Sequence, residues 1–216
     1  MSSSLIVSSQ AKIENIPQGI YHAVCCHVID LGTHLDLNWN KERRKISIGF
    51  EIPEVMRTFE KDGKQVSEPT VVSNMYTPGL AQKNQMRKDL VSWRGRDFTK
   101  EEEAQFDLRK LIGANCQIQI VHMPSKKDAS KIYANIGSIV QAPKGVAKIE
   151  AKKHILFEIP LGEEKFKVPS TIPEWMRKKI FESIEFKRRG IADTDVPAYA
   201  EDGKVAEVID SSDVPF

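Results

Sequence analysis

Through much of residues 20–145, apolar side chains recur at every second position, the period of strands with one buried face. Residues 45–52, KISIGFEI, set Ile46, Ile48, Phe50 and Ile52 on one face, and residues 20–30, IYHAVCCHVID, are apolar and β-branched enough for a long partner strand. Between them, LGTHLDLNWNKERR reads as a polar connection. After Pro53, a charged loop with Asp62-Gly63 leads to a third strand near residues 70–77. The period then becomes helical: over residues 81–93, Met86 and Leu90 share a face at i, i+4, with Trp93 placed to join the core. A short helix follows the acid-rich KEEE and ends before Gly113. Alternation returns in residues 115–123 through Cys116, Ile118 and Ile120, and residues 132–140, IYANIGSIV, supply a fifth strand after the basic loop PSKKDASK. The order is β-β-β-α-β-β.

That order predicts a mainly β fold with added helices, an OB-fold five-stranded barrel over residues 20–145. Residues 1–19 form an amino-terminal segment. Residues 146–192 form an extension in which HILFEI and KFKV pair as a hairpin, and Thr171 to Glu174 read as a capping box opening a helix through Met176 and Ile180. In residues 193–216 seven acids stand against one base, Lys204, so this stretch carries −6. The whole chain is +2, which leaves +8 on residues 1–192. Such sign asymmetry, with few aromatics and isolated Pro197, Gly203 and Pro215, predicts a disordered acidic tail on a basic body that attracts phosphate.

Composition narrows the class further. No apolar run approaches the length of a membrane helix, and MSSSLIVSSQ lacks the marks of a secretory signal, so a cytoplasmic protein is expected. Three cysteines, Cys25, Cys26 and Cys116, two of them adjacent, argue against a disulfide framework and read as core residues. His22 and His27 sit at an odd offset on one strand, which by simple alternation faces them apart. The chain has no phosphate loop, nucleophile elbow, HExxH or paired CxxC, so no enzyme, cofactor or metal is expected. The pair Glu150 and Lys152 keeps a metal-dependent nuclease as an alternative, and a protein-interaction barrel is a second.

The last seven residues, DSSDVPF, end an acidic stretch on a small apolar plug. They resemble the acidic tip of bacterial and phage single-stranded-DNA-binding proteins, with Val214 where Ile is usual. The segments RKDLVSWRGRDFTKEEEAQFDLRKLIG, KIYANIGSI and IPEWMRKKI are similar to phage-encoded OB-fold proteins of that group. The late first strand and residues 146–190 depart from the short bacterial pattern. The resemblance implies binding of single-stranded DNA without strong sequence preference. It also implies recruitment of replication, recombination or repair proteins through Asp210, Asp213, Val214, Pro215 and Phe216, and a possible homo-oligomer.

Binding of that kind needs a basic track for the backbone and aromatic faces for bases. The candidates are Trp39 with Lys41, Arg43, Arg44 and Lys45 in the first connection, and Tyr76 at the end of the third strand. Arg94 and Arg96 flank the helix end, and Lys126, Lys127, Lys131 and Tyr133 lie in and after the loop between the last two strands. The bases of KRRG extend a phosphate surface or solvate a helix end.

Overall fold

The computed structural model of the chain describes residues 16–37, 39–61, 63–125, 130–162 and 165–189. Strands β1 (Gly19–Asp36), β2 (Lys41–Lys61) and β3 (Lys64–Tyr76) form two antiparallel hairpins in series. Helices α1 (Gln85–Arg94) and α2 (Lys100–Gln105) and a 3-10 turn at Leu108–Leu111 precede β4 (Asn115–Pro124) and β5 (Ile132–Gln141). A short strand β6 (Ile155–Phe157) and helices α3 (Glu174–Glu182) and α4 (Ile184–Arg188) complete the described chain. The fold is mainly β, in the element order that the alternation predicts.

All six strands belong to one sheet, in the order β3-β2-β1-β4-β5 with β6 beside β1. No ladder joins β3 to β5, so the five strands do not close into a barrel. Helix α1 links the two edges instead. The Tyr76 hydroxyl at the end of β3 donates to Asp89 at 2.7 Å, and α1 packs on β5. Met86, Leu90 and Trp93 enter the core with Ile48, Phe50 and Ile118, where the Phe50 and Trp93 rings meet edge-on at 5.2 Å. Helical side chains bury the inward faces of two edge strands without any backbone ladder between them. The helix is well terminated, by Asn84 accepting from the Met86 N–H and by Gly95 in the left-handed region.

β1 and β2 are longer than the apolar pattern predicts. Leu31–Asp36 and Lys41–Lys45 are strand, and only the turn between them is irregular, closed by Asn40 at φ 47° and by the Trp39 N–H donating to the Asp36 carbonyl at 3.2 Å. The ladder satisfies backbone groups where side chains are polar, so polarity alone mistakes this hairpin end for a loop.

A bulge decides which face each β1 residue takes. Cys26 is the extra residue between Cys25, opposite Phe50, and His27, opposite Gly49. Ala23 and Cys25 therefore face the α1 core, whereas Ile29 and Leu31 face a second core. His22 and His27 consequently share the outward face, contrary to the simple alternation.

That second core joins Ile29 and Leu31 to Phe157, Ile159, Ile172, Met176 and Ile180, so residues 146–189 are completed by β1 rather than by their own hairpin. Of the expected HILFEI and KFKV pair only Ile155–Phe157 is strand, and it runs parallel to β1, with Ile155 opposite His27. The capping box at Thr171 is also absent: Ile172 is buried in the second core, and α3 starts after Pro173 without a side-chain cap. A complete box forms at Thr99 and Glu102 of α2. The extension is fastened by buried Asp30, whose carboxylate accepts from Ile159 N–H at 3.2 Å, Gly32 N–H at 3.0 Å and Arg44 Nε at 3.1 Å. Glu185 accepts from the Thr33 N–H at 2.7 Å. Gly32, at φ 79°, lies so close to Ser183 that a Cβ there would overlap it.

Candidate nucleic-acid interface

The β1–β2 turn lifts Trp39 out of the fold, with 68% of its surface exposed. Lys41 follows it as an exposed side chain at the head of β2. The other three bases of this cluster are engaged. Arg43 approaches Asp36 at 3.6 Å, Arg44 is ion-paired with buried Asp30, and Lys45 donates to Thr77 Oγ1 at 2.9 Å. Arg44 is thus a clamp between β2 and the extension, and its charge is already answered.

Two further candidates belong to the interior. Tyr76 is 5% exposed, and burial together with Asp89 pushes its phenol well above the ordinary range, so its ring packs in the core and is not a stacking platform. The Arg94 side chain is 4% exposed; it pairs with Glu102 at 2.6 Å and lies over the Phe98 ring at 4.3 Å. Arg96 is exposed but bonded twice to the same Glu102, at 2.6 and 2.9 Å. Arg96, then the Thr99 N–H, hold the Glu102 carboxyl down at about 2. Proximity of KEEE to WRGR makes an internal charge network rather than an open basic patch. Arg189 of the KRRG run likewise binds inward, donating to the carbonyls of Pro160 at 2.8 Å and Gly162 at 2.6 Å.

At the β4–β5 turn Lys131 is exposed, its carbonyl accepting from Ser125 N–H at 2.8 Å. Tyr133 is 51% exposed and stands opposite Met123 in the ladder. Lys126 and Lys127 of this loop lie outside the described residues, as do Asp210, Asp213, Val214, Pro215 and Phe216. β4 runs antiparallel to β1, with Ile120 opposite Gly19, so the two aromatic turns lie at opposite ends of β1 and do not form one patch.

A surface not singled out in the sequence lies between β1, β4 and β5. Ile20 faces outward opposite Gln119, which stands opposite Ser138; His22, Gln117 and Val140 form the next row. Ile20, Val140, Met123 and Tyr133 are exposed along this face. The signal was present in the strand 115–123, whose outward positions Gln117, Gln119, Val121 and Met123 carry no charge. Beyond its upper row opens a groove of about 370 Å³ lined by His22, Trp93, Lys110, Asn115, Gln141 and Lys148 among others.

Among the described residues no group of three or more His, Cys, Asp and Glu side chains is placed to hold a metal. Cys25, Cys26 and Cys116 are buried free thiols, and burial pushes Cys26 up to about 12, so at neutral pH it stays a protonated core group. No helix among the described residues is long and apolar enough to cross a membrane. Compared with known proteins, the chain matches no family model and no curated sequence.

Proposed function

We propose that this protein binds single-stranded DNA without strong sequence preference, on a partly open barrel of OB type, and that residues 210–216 recruit replication, recombination or repair proteins. The observation that carries the reading is the pair of exposed aromatic rings at the turns, Trp39 and Tyr133, each next to an exposed lysine, Lys41 and Lys131. Leaving a large ring in water forgoes roughly 1.5–3 kcal/mol of burial, and stacking on bases recovers energy of that size. The sheet order β3-β2-β1-β4-β5, with a helix between β3 and β4, supports the OB-type arrangement, in which turns of this kind border the ligand. The +8 of residues 1–192 supplies long-range attraction for phosphate. The chemistry is reversible association, with no bond made or broken.

Titration of fluorescent oligo-thymidine at two salt concentrations tests this. Trp39→Ala and Tyr133→Ala are each expected to weaken binding roughly 5- to 150-fold, the equivalent of one lost base stack. A wild-type protein that ignores oligo-thymidine in dilute buffer ends the reading, and strand degradation with a divalent metal would make it a nuclease. For the tail, removing Pro215 and Phe216 is expected to abolish capture of partner proteins while leaving strand binding equal or tighter. The reverse outcome, weaker strand binding with capture intact, refutes that division of labour.

A further inference from the structure

The second core covers the outward face of β1 at Ile29 and Leu31, and Lys152 of the crossing segment donates its N–H to Glu51 on the outward face of β2. Among the described residues no such cover lies over Ile20 and the rows of β4 and β5 beside it. There Ile20, Met123, Tyr133 and Val140 stay exposed, separated by uncharged Gln117 and Gln119, with neither a cation nor an acid in these rows. A face of this kind suits bases, which present apolar rings and neutral amide-like edges, and it repels none of them.

The groove at its end has the opposite character. Among the described residues its lining contains three bases, Arg94, Lys110 and Lys148, and no acid. Arg94 is answered by Glu102, so the groove's other cations are Lys148 and Lys110, both exposed, with Lys110 also acting on the nearby Asp107 carboxylate outside the lining. The walls are held in place. Asn115 accepts from Ile149 N–H at 2.8 Å and donates to its carbonyl at 2.9 Å, and Trp93 Nε1 donates to the Asn115 carbonyl at 2.9 Å. The segment carrying Lys148 is thereby strapped to Asn115 at the start of β4, in the groove that Lys110 also lines. Both lysines line one groove of about 370 Å³ with no acid among its described lining residues, a setting that suits a phosphate group.

We propose that the outward face of β1, β4 and β5 is the path of the bound strand, with bases packed from Tyr133 toward Ile20 and a backbone phosphate seated between Lys110 and Lys148. This rests on the single-strand reading above and specifies where the strand runs.

The experiment compares wild type, the double variant Lys110→Gln/Lys148→Gln, and Ile20→Glu for binding of oligo-thymidine at two salt concentrations. The indole N–H resonance of Trp93 is followed in parallel. All three substitutions are at exposed positions, and thermal melting verifies that the variants are folded. The double variant is expected to bind at least about tenfold more weakly at low salt. Its plot of log affinity against log salt should be shallower by about 0.7, the loss of one phosphate contact. Ile20→Glu, which sets an acid among the bases, is expected to lose at least about tenfold by itself. The Trp93 resonance should shift with the oligonucleotide in wild type and not in the double variant.

Unchanged affinity and slope in both variants, with Trp39→Ala still weakening binding, moves the path elsewhere and leaves the single-strand reading intact. A wild type that binds no oligonucleotide removes both. If inorganic phosphate alone moves Trp93 at the concentrations where the oligonucleotide does, the groove is a free-anion site and the path is refuted. It is equally refuted if Ile20→Glu splits a dimer without altering strand affinity, since a second copy then covers the face.

Discussion

Gly49→Ala is expected to destabilise the protein by about 3 kcal/mol, at the upper end of ordinary overpacking, and to lower its melting temperature by roughly 6–12 °C. Gly49 stands opposite His27 in the β1–β2 ladder, and the imidazole lies across it, so that a Cβ would fall inside the contact shell of three ring atoms. The ring has little room to withdraw. His27 is buried, one nitrogen is within 3.2 Å of the Ser47 hydroxyl, and the other is 3.9 Å from the Cys26 sulfur. A double-mutant cycle isolates the clash: in a His27→Ala background the ring is gone, and Gly49→Ala should then cost less than about 1 kcal/mol. Equal cost in both backgrounds, measured by urea unfolding, would show that the penalty comes from the backbone of β2 and not from the imidazole.

Acidification from pH 7 to pH 4 is expected to remove about 3 kcal/mol through the same histidine. Burial pushes His27 down to about 4, while in the unfolded chain it titrates at its ordinary 6.5. Between these values the unfolded state binds more protons, so stability rises with pH. The contribution is complete above about 6.5 and gone below about 4. Glu102, held at about 2 by Arg96, releases its own contribution in a lower window, from about 4.5 downward, which separates the two effects. The check is the urea midpoint as a function of pH. A His27→Gln variant should lose the slope between pH 6.5 and 4, and a variant as acid-sensitive as wild type would acquit His27.

His27 also shows where reading the chain runs out. Alternation in residues 45–52 correctly places Ile48 and Phe50 inside, because a two-residue period is a local property of an extended backbone. The same rule fails across Cys26, since a bulge adds one residue to β1 and reverses the facing of the residues from His27 up to the second register shift at Leu31. Its effect is seen only when Gly49 and Ser47 of the neighbouring strand are set beside it. Candidate site residues divide in the same way. Trp39 sits among polar neighbours and is exposed, whereas Tyr76, Arg44 and Arg94 look equally available in the chain and are engaged by Asp89, Asp30 and Glu102.

The amino-acid sequence by itself determined the number and order of the first five strands, the helix after the third, the core-facing set of β2 and β4, and the separation of a basic body from an acidic end. These follow from periodicity, turn residues and charge, which act over a few neighbours. Only the tertiary structure decided that the sheet stays open with α1 linking its edges, that residues 146–189 are finished by Ile29 and Leu31 of β1, and which cations remain free. Each of those depends on pairing between residues far apart in the chain, and the energy of burying a face or an ion pair is set by what arrives opposite it.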